Sequence, residues 1–373
     1  HMDFTFTPEQ QDAAALARRV LVDRCTQARL REVEATGARF DAGLWQELGA
    51  AGLLGLHLPE EAGGAGLGLL ELCSVVVEAG RVVAPVPLPW HAVAAAALAR
   101  FGTPDQVAAW VPAAAAGQNV LTVALAEDHA DVPGPPTTTA ERADDGWRVT
   151  GAKTVVPAAT VADLFVVPVD TAEGGAVLLV RRDDPGVRVE TQETNDGDAL
   201  GRLELDGVTL DDTRLLGAVG EGPATTAWIA ARLTVAVCAE QLGVAEGALE
   251  LTAEYARTRE QFGRPIGTFQ AVSQRLADGY IDVNGIRLTM WQAAWRLGEG
   301  LPAQVEVATA KLWAADAGHK IAHTTVHVHG GVGIDLDGAA HRYFTAAKRY
   351  EFMLGGATRQ ALAIGRALAA EPA

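Results

Sequence analysis

One stretch decides the fold of this chain: Arg257-Thr258-Arg259-Glu260-Gln261-Phe262-Gly263-Arg264-Pro265-Ile266-Gly267-Thr268-Phe269-Gln270. Alanine-rich apolar runs with the length of buried helices precede and follow it, Ala231 to Ala256 and Ala271 to Arg296. Its glycines favour turns over helix, and its proline has no backbone N–H to donate. The stretch is therefore predicted to be a short connection between two long helices.

This connection carries groups that suit a ligand. Arg259 has a planar, permanently charged guanidinium that matches a phosphate or a carboxylate. Phe262 and Phe269 add flat apolar rings. A plain helix–helix corner, with phenylalanine anchors and a solvated arginine, has the same residues. From these residues alone both interpretations stay open.

The pattern of the chain changes twice along its length. Residues 8–118 have a helical pattern, and Thr7 with Gln10 predicts a capping box before a helix from Gln11 to Cys25. Another apolar helix is predicted from Leu69 to Val82. Helical patterns resume at about Gly222 and close with residues 359–370.

The middle of the chain is rich in short β-branched segments between turn residues. The predicted strands are 120–125, 147–150, 164–169, 176–180, 187–190 and 202–205. Asp144-Asp145-Gly146 and Asp206-Gly207 are interpreted as turn or hairpin signals. About 100 residues of this kind predict a β-barrel or sandwich domain between two helical regions.

The composition excludes several classes of protein. The chain has 373 residues, 49% of them hydrophobic, and a net charge of −17, so its field would repel nucleic acid and anionic membranes. Cys25, Cys73 and Cys238 are too widely spaced for a metal-type pair. Apolar runs are interrupted by Gly, Pro or charge, and no signal peptide is recognised. A soluble cytoplasmic protein is expected.

The central connection resembles a motif of a known family. R-x-x-F-G-x-P-I-x-x-F-Q, from Arg259 to Gln270, is similar to the C-terminal motif of acyl-CoA dehydrogenases. In that family the arginine and the phenylalanine contact the FAD bound by a neighbouring subunit. Other segments are similar too: Leu44 to Gly64, Asp145-Gly146 with Gly151-Ala152-Lys153, and His329 to Gly333.

The resemblance covers almost the whole chain and implies its fold. It implies an α+β multidomain architecture, with an N-terminal helical domain over residues 1–118 and a middle β-barrel over 119–218. A C-terminal four-helix bundle would follow over 219–373 and mediate oligomerisation. It also implies FAD as the cofactor.

At the adenine and pyrophosphate end of FAD, this chain keeps the residue types of the family. The contacts implied by the resemblance are Arg259, Gln261, Phe262, Ile266, Gln270, His327, Gly330 and Gly331. His327 stands where the family more often has glutamine, and an imidazole also forms hydrogen bonds. The glycine pair lets backbone donors approach a phosphate closely.

At the isoalloxazine end, the chain departs from the family. Leu125 and Ala126 occupy contact positions, and Ala126 replaces a threonine in the run that corresponds to T-E-P-x-x-G-S, here Ala126 to Val132. Lys153 to Pro157 corresponds to K-x-W-I-T, so Val155 replaces an aromatic plate. A complete flavin seat and a plain barrel core both fit these residues.

The carboxylate base of the family is missing from its usual places. Leu354, in Met353-Leu354-Gly355-Gly356, stands where the glutamate should be, and Leu233 falls at the alternative position. The catalytic residue is therefore unknown. Glu240 is a weak candidate, because a carboxylate in an apolar helix has a raised pKa. A structural pair with Arg232, or across a subunit interface, explains it as well.

The remaining polar candidates have structural interpretations. Glu351 is predicted to be a solvated helix charge, and Glu127 matches a family acid with a structural role. His319, His323 and His327 repeat at helical spacing, as in a metal site. They lack accompanying carboxylates, so no metal site is predicted.

Three functions remain open. The first is a subunit of a heteromeric FAD-dependent acyl-CoA dehydrogenase that lends FAD contacts to a paralogous catalytic subunit, an arrangement known among actinobacterial enzymes for steroid and other bulky thioesters. The second is a homomeric flavoenzyme with Glu240 as its base, and the third a flavin-free scaffold. The implied partners are an acyl-CoA or acyl-carrier thioester, a homo-oligomer or heterotetramer, and an electron-transfer flavoprotein.

Overall fold

The computed structural model of the chain describes residues 5–128, 134–144 and 146–370. The segment His129 to Val132 and the turn residue Asp145 therefore lie outside the described residues. The chain divides into two compact units. The first comprises His1–Leu30, Cys73–Ala84 and Thr234–Ala373, and the second comprises Arg31–Leu72 and Pro85–Leu233.

Among the described residues, six α-helices precede the strands. They are α1 (Pro8–Arg24), α2 (Gln27–Glu34), α3 (Ala42–Ala50), α4 (Leu69–Arg81), α5 (Leu88–Phe101) and α6 (Pro104–Ala115). The predicted capping box at the start of α1 is confirmed: Thr7 Oγ1 accepts from the Gln10 N–H, and Gln10 Oε1 accepts from the Thr7 N–H. The helix over 69–82 is confirmed to within one residue.

Seven strands form two sheets in the middle of the chain. They are β1 (Leu121–Val123), β2 (Thr139–Ala143), β3 (Gly146–Val156), β4 (Leu164–Val169), β5 (Ala176–Arg181), β6 (Val187–Thr191) and β7 (Gly201–Asp211). The strand orders are β1-β4-β5 and β2-β3-β7-β6. Strands β1 and β4 run parallel, and the other neighbours in these two sheets are antiparallel.

The prediction of a turn at Asp206-Gly207 was wrong. Both residues lie inside β7, where the register with β3 shifts between Val149 and Gly151. Gly207 has φ +62°, so it supplies the left-handed residue of a β-bulge. Asp-Gly favours a left-handed residue in a bulge as well as in a turn, and the sequence signal does not separate the two.

Helices return in the last part of the chain. They are α7 (Gly222–Thr258), α8 (Gln270–Gly298), α9 (Gln304–His329), α10 (Ala340–Phe352) and α11 (Ala357–Ala370). Two short strands, β8 (Glu260–Gln261) and β9 (Arg264–Pro265), form a hairpin between α7 and α8. The predicted order of helices, strands and helices is thereby confirmed, and the predicted connection between two long helices contains this hairpin.

Glycines allow α7 to approach α4 closely within the first unit. A Cβ atom on Gly80 would lie 2.1 Å from the Glu240 carbonyl oxygen, and one on Gly243 would lie 1.9 Å from the Val77 carbonyl oxygen. Any larger side chain would push the helices apart. Helix α7 is also the one described helix that is long and apolar enough to cross a membrane, but 72% of its most apolar window is buried inside the protein. It is a core helix.

Candidate functional site

The hairpin β8–β9 displays an aromatic ring at a strained position. Gln261 pairs with Arg264, so Phe262 and Gly263 form the two-residue loop. Their φ angles are +54° and +75°, as in a type I′ turn. That turn favours glycine, which has no Cβ atom, or asparagine, whose short polar side chain forms local hydrogen bonds, whereas other residues cost about 1 kcal/mol in the left-handed region. Phe262 is nevertheless there, and it is 92% exposed.

The ring of Phe262 is supported from one side. It meets the ring of Phe269 edge-on, with the centroids 6.1 Å apart. The guanidinium of Arg264 lies over the ring of Phe269, 4.2 Å from its centroid. The rest of the Phe262 ring faces solvent, so the hairpin offers a flat apolar surface to another molecule.

The polar residues of the connection are also directed outward. Arg259 and Gln261 are exposed, and the Arg259 guanidinium has no ion-pair partner among the residues that the structure describes. The Arg259 carbonyl accepts from the Ile266 N–H at 2.8 Å, which closes the base of the hairpin. Ile266 is half-buried, and Gln270 is exposed at the first position of α8.

The end of α9 forms a second exposed segment. His327 is exposed, and the helix ends at His329 before Gly330, which has φ +65° and ψ −139°. That conformation is available only to glycine. A Cβ atom added to Gly330 or Gly331 would meet nothing within 4 Å. The backbone of this loop is therefore accessible to a ligand.

A ring stack joins the two segments within the first unit. The rings of Tyr255 and His329 are 4.4 Å apart and inclined by 25°. Tyr255 lies one turn before Arg259, whose N–H donates to the Tyr255 carbonyl at 2.8 Å. His329 directly precedes Gly330. The stack thus connects the base of the hairpin to the end of α9, and the assignment of both segments as adenine-end contacts stays a prediction.

These residues fit a nucleotide that comes from outside the unit. The exposed guanidinium of Arg259 suits a phosphate, and the accessible backbone of Gly330 and Gly331 suits a second phosphate. The exposed ring of Phe262 suits a heterocycle. His327 adds an exposed imidazole. The observation that carries the fit is that Phe262 is 92% exposed.

The implied ring-end residues lie in the second unit. Leu125 and Ala126 follow β1 and are half-buried, and the Ala126 carbonyl accepts from the Thr154 N–H at 2.9 Å. Neither side chain has a hydroxyl or a ring. The threonine hydroxyl that the resemblance implies at position 126 is therefore absent.

A bulge in β3 exposes Val155 beside this segment. The register of β3 with β7 shifts between Lys153 and Val156, and Val155 has φ +43° and is 41% exposed. A β-branched residue in the left-handed region is strained. The side chain of Gln192 stabilises the bulge, because its Oε1 accepts from the Val155 N–H at 2.6 Å. Sequence reasoning missed this glutamine.

Glu127 has a structural role. Its carboxylate accepts from the Lys153 ammonium at 2.8 Å and from the N–H and hydroxyl groups of Thr137 and Thr138 at 2.6 to 2.9 Å. Burial raises the pKa of this carboxyl, but the hydrogen bonds from Lys153 and the threonines outweigh burial and lower the pKa to about 2. A base with that pKa and those partners is unsuited to proton abstraction.

The Met353–Gly356 turn, which we call the Leu354 turn, is held rigidly without an acid. Leu354 is 7% exposed and has φ +59°. The buried ammonium of Lys311 donates to the carbonyls of Tyr350, Glu351 and Gly355 at 2.9, 3.1 and 3.1 Å. Gln360 Nε2 donates to the carbonyls of Leu354 and Gly355 at 3.0 and 3.1 Å. Two side chains therefore fix the turn by three hydrogen bonds, and Lys311 forms two more with the end of α10.

The Lys311 ammonium is costly to bury, although three backbone carbonyls surround it. Desolvation lowers the pKa of Lys311 to about 8, against a smaller raising effect from Cys238 and Glu351. Burial also raises the pKa of the Cys238 thiol to about 12. Lys311 was missed by sequence reasoning, although a single lysine in the run Ala308 to Ala315 was a usable signal.

No acid occupies the alternative base position either. Leu233 is fully buried, and the neighbouring Arg232 lies with its guanidinium 3.8 Å from the centroid of the Trp228 ring. Burial lowers the pKa of Arg232 to about 10, and the charge of Arg100 contributes in the same direction. Glu240 is 4% exposed on α7, and its assignment as a base stays a prediction.

The interpretation of Glu351 as a solvated charge was wrong. Its side chain is 15% exposed, and its carboxylate lies 2.6 Å from the Lys348 ammonium and 3.1 Å from His319 Nδ1. The acid faces α9 because α10 packs on that helix. Among the described residues, no group of three His, Cys, Asp or Glu side chains is arranged to hold a metal ion. The rings of His319 and His323 instead contact each other in a tilted arrangement, with centroids 4.4 Å apart.

Comparison with known sequences identifies the class of protein. Acyl-CoA dehydrogenase family profiles match along the chain: the N-terminal domain over residues 7–118, the middle domain over 122–208 and the C-terminal domain over 222–369. The chain therefore belongs to the acyl-CoA dehydrogenase family. Members of this family are FAD-dependent oxidoreductases that act on CH–CH groups.

Several relatives match over nearly their whole length. Acyl-CoA dehydrogenase FadE27 of Mycobacterium tuberculosis is 48% identical, with 100% of each chain covered. The crystal structure of the ChsE4–ChsE5 complex from the same species contains a chain that is 49% identical, with a TM-score of 0.95 and 100% of each chain covered. A variant of the Tcur3481–Tcur3483 steroid ACAD is 43% identical, with a TM-score of 0.91 and coverage of 97% and 98%.

Proposed function

We propose that this chain is the lending subunit of a heteromeric acyl-CoA dehydrogenase. In this role its hairpin supplies Arg259, Gln261 and Phe262 to FAD seated in a paralogous subunit, which provides the catalytic base. The reaction is the α,β-desaturation of an acyl thioester. FAD, when bound, takes the hydride from the β carbon, and a carboxylate takes the proton from the α carbon.

The exposure of Phe262 carries this proposal. An apolar ring that is 92% exposed, in a left-handed conformation, gains little within its own chain. The ring gains burial only when another molecule covers it. Arg259 beside it contributes a charge that suits a pyrophosphate. Both residues fit contact with a nucleotide bound elsewhere.

The Leu354 turn supports the assignment of the base to a partner. A buried leucine accepts no proton, and no residue of the Met353–Gly356 turn is acidic. The fully buried Leu233 has no proton-accepting group either. In this role the chain supplies contacts to the adenine and pyrophosphate end of FAD, and it has no carboxylate base at the two positions where the family has one.

The relatives indicate the kind of partner and substrate. One similar chain was solved in a ChsE4–ChsE5 complex, and another in a Tcur3481–Tcur3483 steroid ACAD. We therefore expect a paralogous dehydrogenase subunit as partner and a CoA thioester with a bulky, steroid-like acyl group as substrate. An electron-transfer flavoprotein is the expected acceptor, and the cytoplasm the expected location.

Co-expression tests the proposal. The chain is purified with a paralogous subunit that has a glutamate at the turn position, and FAD content and oxidation of a steroid side-chain CoA thioester are measured. Arg259→Ala in the lending chain should lower FAD affinity at least tenfold, because a charge-assisted pyrophosphate contact is lost. Arg257→Ala is the matched control, since Arg257 is exposed two residues earlier and pairs with Glu254.

Equal FAD affinity in the Arg259→Ala and Arg257→Ala complexes would contradict the lending role. FAD binding with turnover by the isolated chain would favour a homomeric enzyme instead. In that case Glu240→Gln should abolish turnover and leave the flavin content unchanged.

A further inference from the structure

The stack of Tyr255 on His329 lies behind the proposed cofactor contacts. Besides the ring contact, the Tyr255 hydroxyl lies 3.5 Å from the His329 carbonyl oxygen. His329 Nδ1 is 2.7 Å from the carbonyl oxygen of Thr325. A carbonyl oxygen only accepts, so Nδ1 carries the proton and donates it. The imidazole is therefore oriented from two sides.

Each residue of the stack lies at the root of a proposed contact segment. The Tyr255 carbonyl accepts from the Arg259 N–H at 2.8 Å, where α7 gives way to the hairpin. His329 is the last residue of α9 and directly precedes the Gly330–Gly331 loop. A shift of either ring relative to the other therefore shifts one segment relative to the other.

We propose that Tyr255 and His329 are positioning residues that hold the hairpin and the Gly330–Gly331 loop at the separation one bound nucleotide requires. This role rests on the proposed function, because it presumes that both segments contact the same FAD. Neither residue is required to touch the cofactor. Their contribution is preorganisation: two segments held in place before binding lose less conformational freedom when the nucleotide binds.

The helices themselves do not depend on this stack. One turn further in, the hydroxyl groups of Thr252 and Thr325 form a buried hydrogen bond of 3.1 Å between α7 and α9. The Thr252 hydroxyl also donates to the Ala248 carbonyl at 2.6 Å. The Thr252–Thr325 hydrogen bond therefore joins α7 and α9 independently of the Tyr255–His329 stack. Loss of the stack should loosen the segments and leave the fold intact.

Two substitutions at one position test whether an aromatic ring against Tyr255 carries this role. His329→Ala removes the stack and the Thr325 contact, whereas His329→Phe restores an aromatic ring against Tyr255. In the co-expressed complex we expect His329→Ala to weaken FAD binding about tenfold and His329→Phe to stay within about threefold of the wild type. FAD dissociation is followed by flavin absorption, and the visible circular dichroism of bound flavin reports its orientation.

The matched control is His323→Ala. His323 lies six residues earlier on the same helix, where its ring is tilted against that of His319 and meets the ring of Phe344 edge-on. Its substitution should leave FAD affinity and the flavin signal unchanged. Thermal unfolding of each complex without added FAD should show that all three variants keep the wild-type midpoint within about 2 °C.

The outcomes distinguish this role from the function on which it rests. If Arg259→Ala weakens FAD binding but His329→Ala does not, the positioning role is overturned and the lending function stands. Equal losses of affinity in His329→Ala and His329→Phe, with lowered unfolding midpoints, would also overturn it, since stability alone would then explain them. If Arg259→Ala itself has no effect, the lending function fails and the positioning role with it.

Discussion

The β8–β9 hairpin and the Leu354 turn are both short connections after long helices, but they are built in opposite ways. At the hairpin, Phe262 is held out to solvent with a left-handed backbone. At the turn, Leu354 has the same unusual φ but is buried, and Lys311 and Gln360 fix the surrounding carbonyls. Strain at the turn is accompanied by buried hydrogen bonds inside the chain, whereas at the hairpin the chain supplies only an edge-on contact from Phe269.

This difference separates two kinds of prediction. Changes at the turn should lower stability, because they remove partners from buried polar groups. Changes at the hairpin should lower cofactor binding and leave stability unchanged or improved. This separation is expected of a subunit that contributes contacts to FAD through its hairpin but has no catalytic base at the Leu354 turn.

The largest effect is expected from Lys311→Ala. The substitution leaves a cavity and removes the donor to the Tyr350 and Glu351 carbonyls, so the free energy of unfolding should fall by about 3 kcal/mol. Urea denaturation measures it. Lys320→Ala on the same helix, where the lysine is exposed and paired with Asp316, should cost less than about 0.5 kcal/mol. Equal costs for the two variants would show that the hydrogen bonds of Lys311 do not stabilise the turn.

A pH dependence of intermediate size follows from the same lysine. Burial lowers the pKa of Lys311 to about 8 from its ordinary value of 10.5. Between these values the unfolded chain binds more protons than the folded one, so stability due to this group rises with pH. Relative to Lys311→Met, the wild type should gain about 2 kcal/mol between pH 7.5 and 9.5. A difference that stays constant with pH would contradict the burial of a charged ammonium.

The smallest effect on stability has the opposite sign. Phe262→Asn places a residue that favours the type I′ turn at the first loop position, so the free energy of unfolding should rise by about 1 kcal/mol. The same variant should lose FAD from the complex, while Phe262→Tyr should retain it. A destabilised Phe262→Asn protein would mean that the ring is supported by its own chain after all.

Much of the architecture was predictable because local patterns and packing agree. The helix that begins after Thr7, the strand Leu164–Val169 and the long helices on both sides of the hairpin follow from capping and periodicity. Strand β2 was missed because Thr139–Ala143 has a single β-branched residue and no alternating apolar pattern, and it forms a strand by pairing with β3. Domain boundaries at residues 118 and 218 stay predictions.

The candidate site was predictable only where residue type alone carries the information. The motif predicted Arg259 and Phe262 as cofactor contacts. The resemblance to the family also predicted that Leu354 stands at the position of the glutamate base. The sequence does not reveal which carbonyls Lys311 reaches or that Gln192 stabilises a bulge, because those contacts join residues far apart in the chain. Glu351 was misjudged for the same reason: its partner His319 lies on another helix.

The most direct test of the account is the visible absorption spectrum of the chain purified alone and of its complex with the paralogous subunit. If this chain lends contacts to a cofactor seated elsewhere, the isolated protein should show no flavin band. The complex should be yellow, with one FAD for each pair of unlike subunits. A flavin band at one FAD per chain in the isolated protein would contradict the account, because the altered barrel would then seat the ring without a partner.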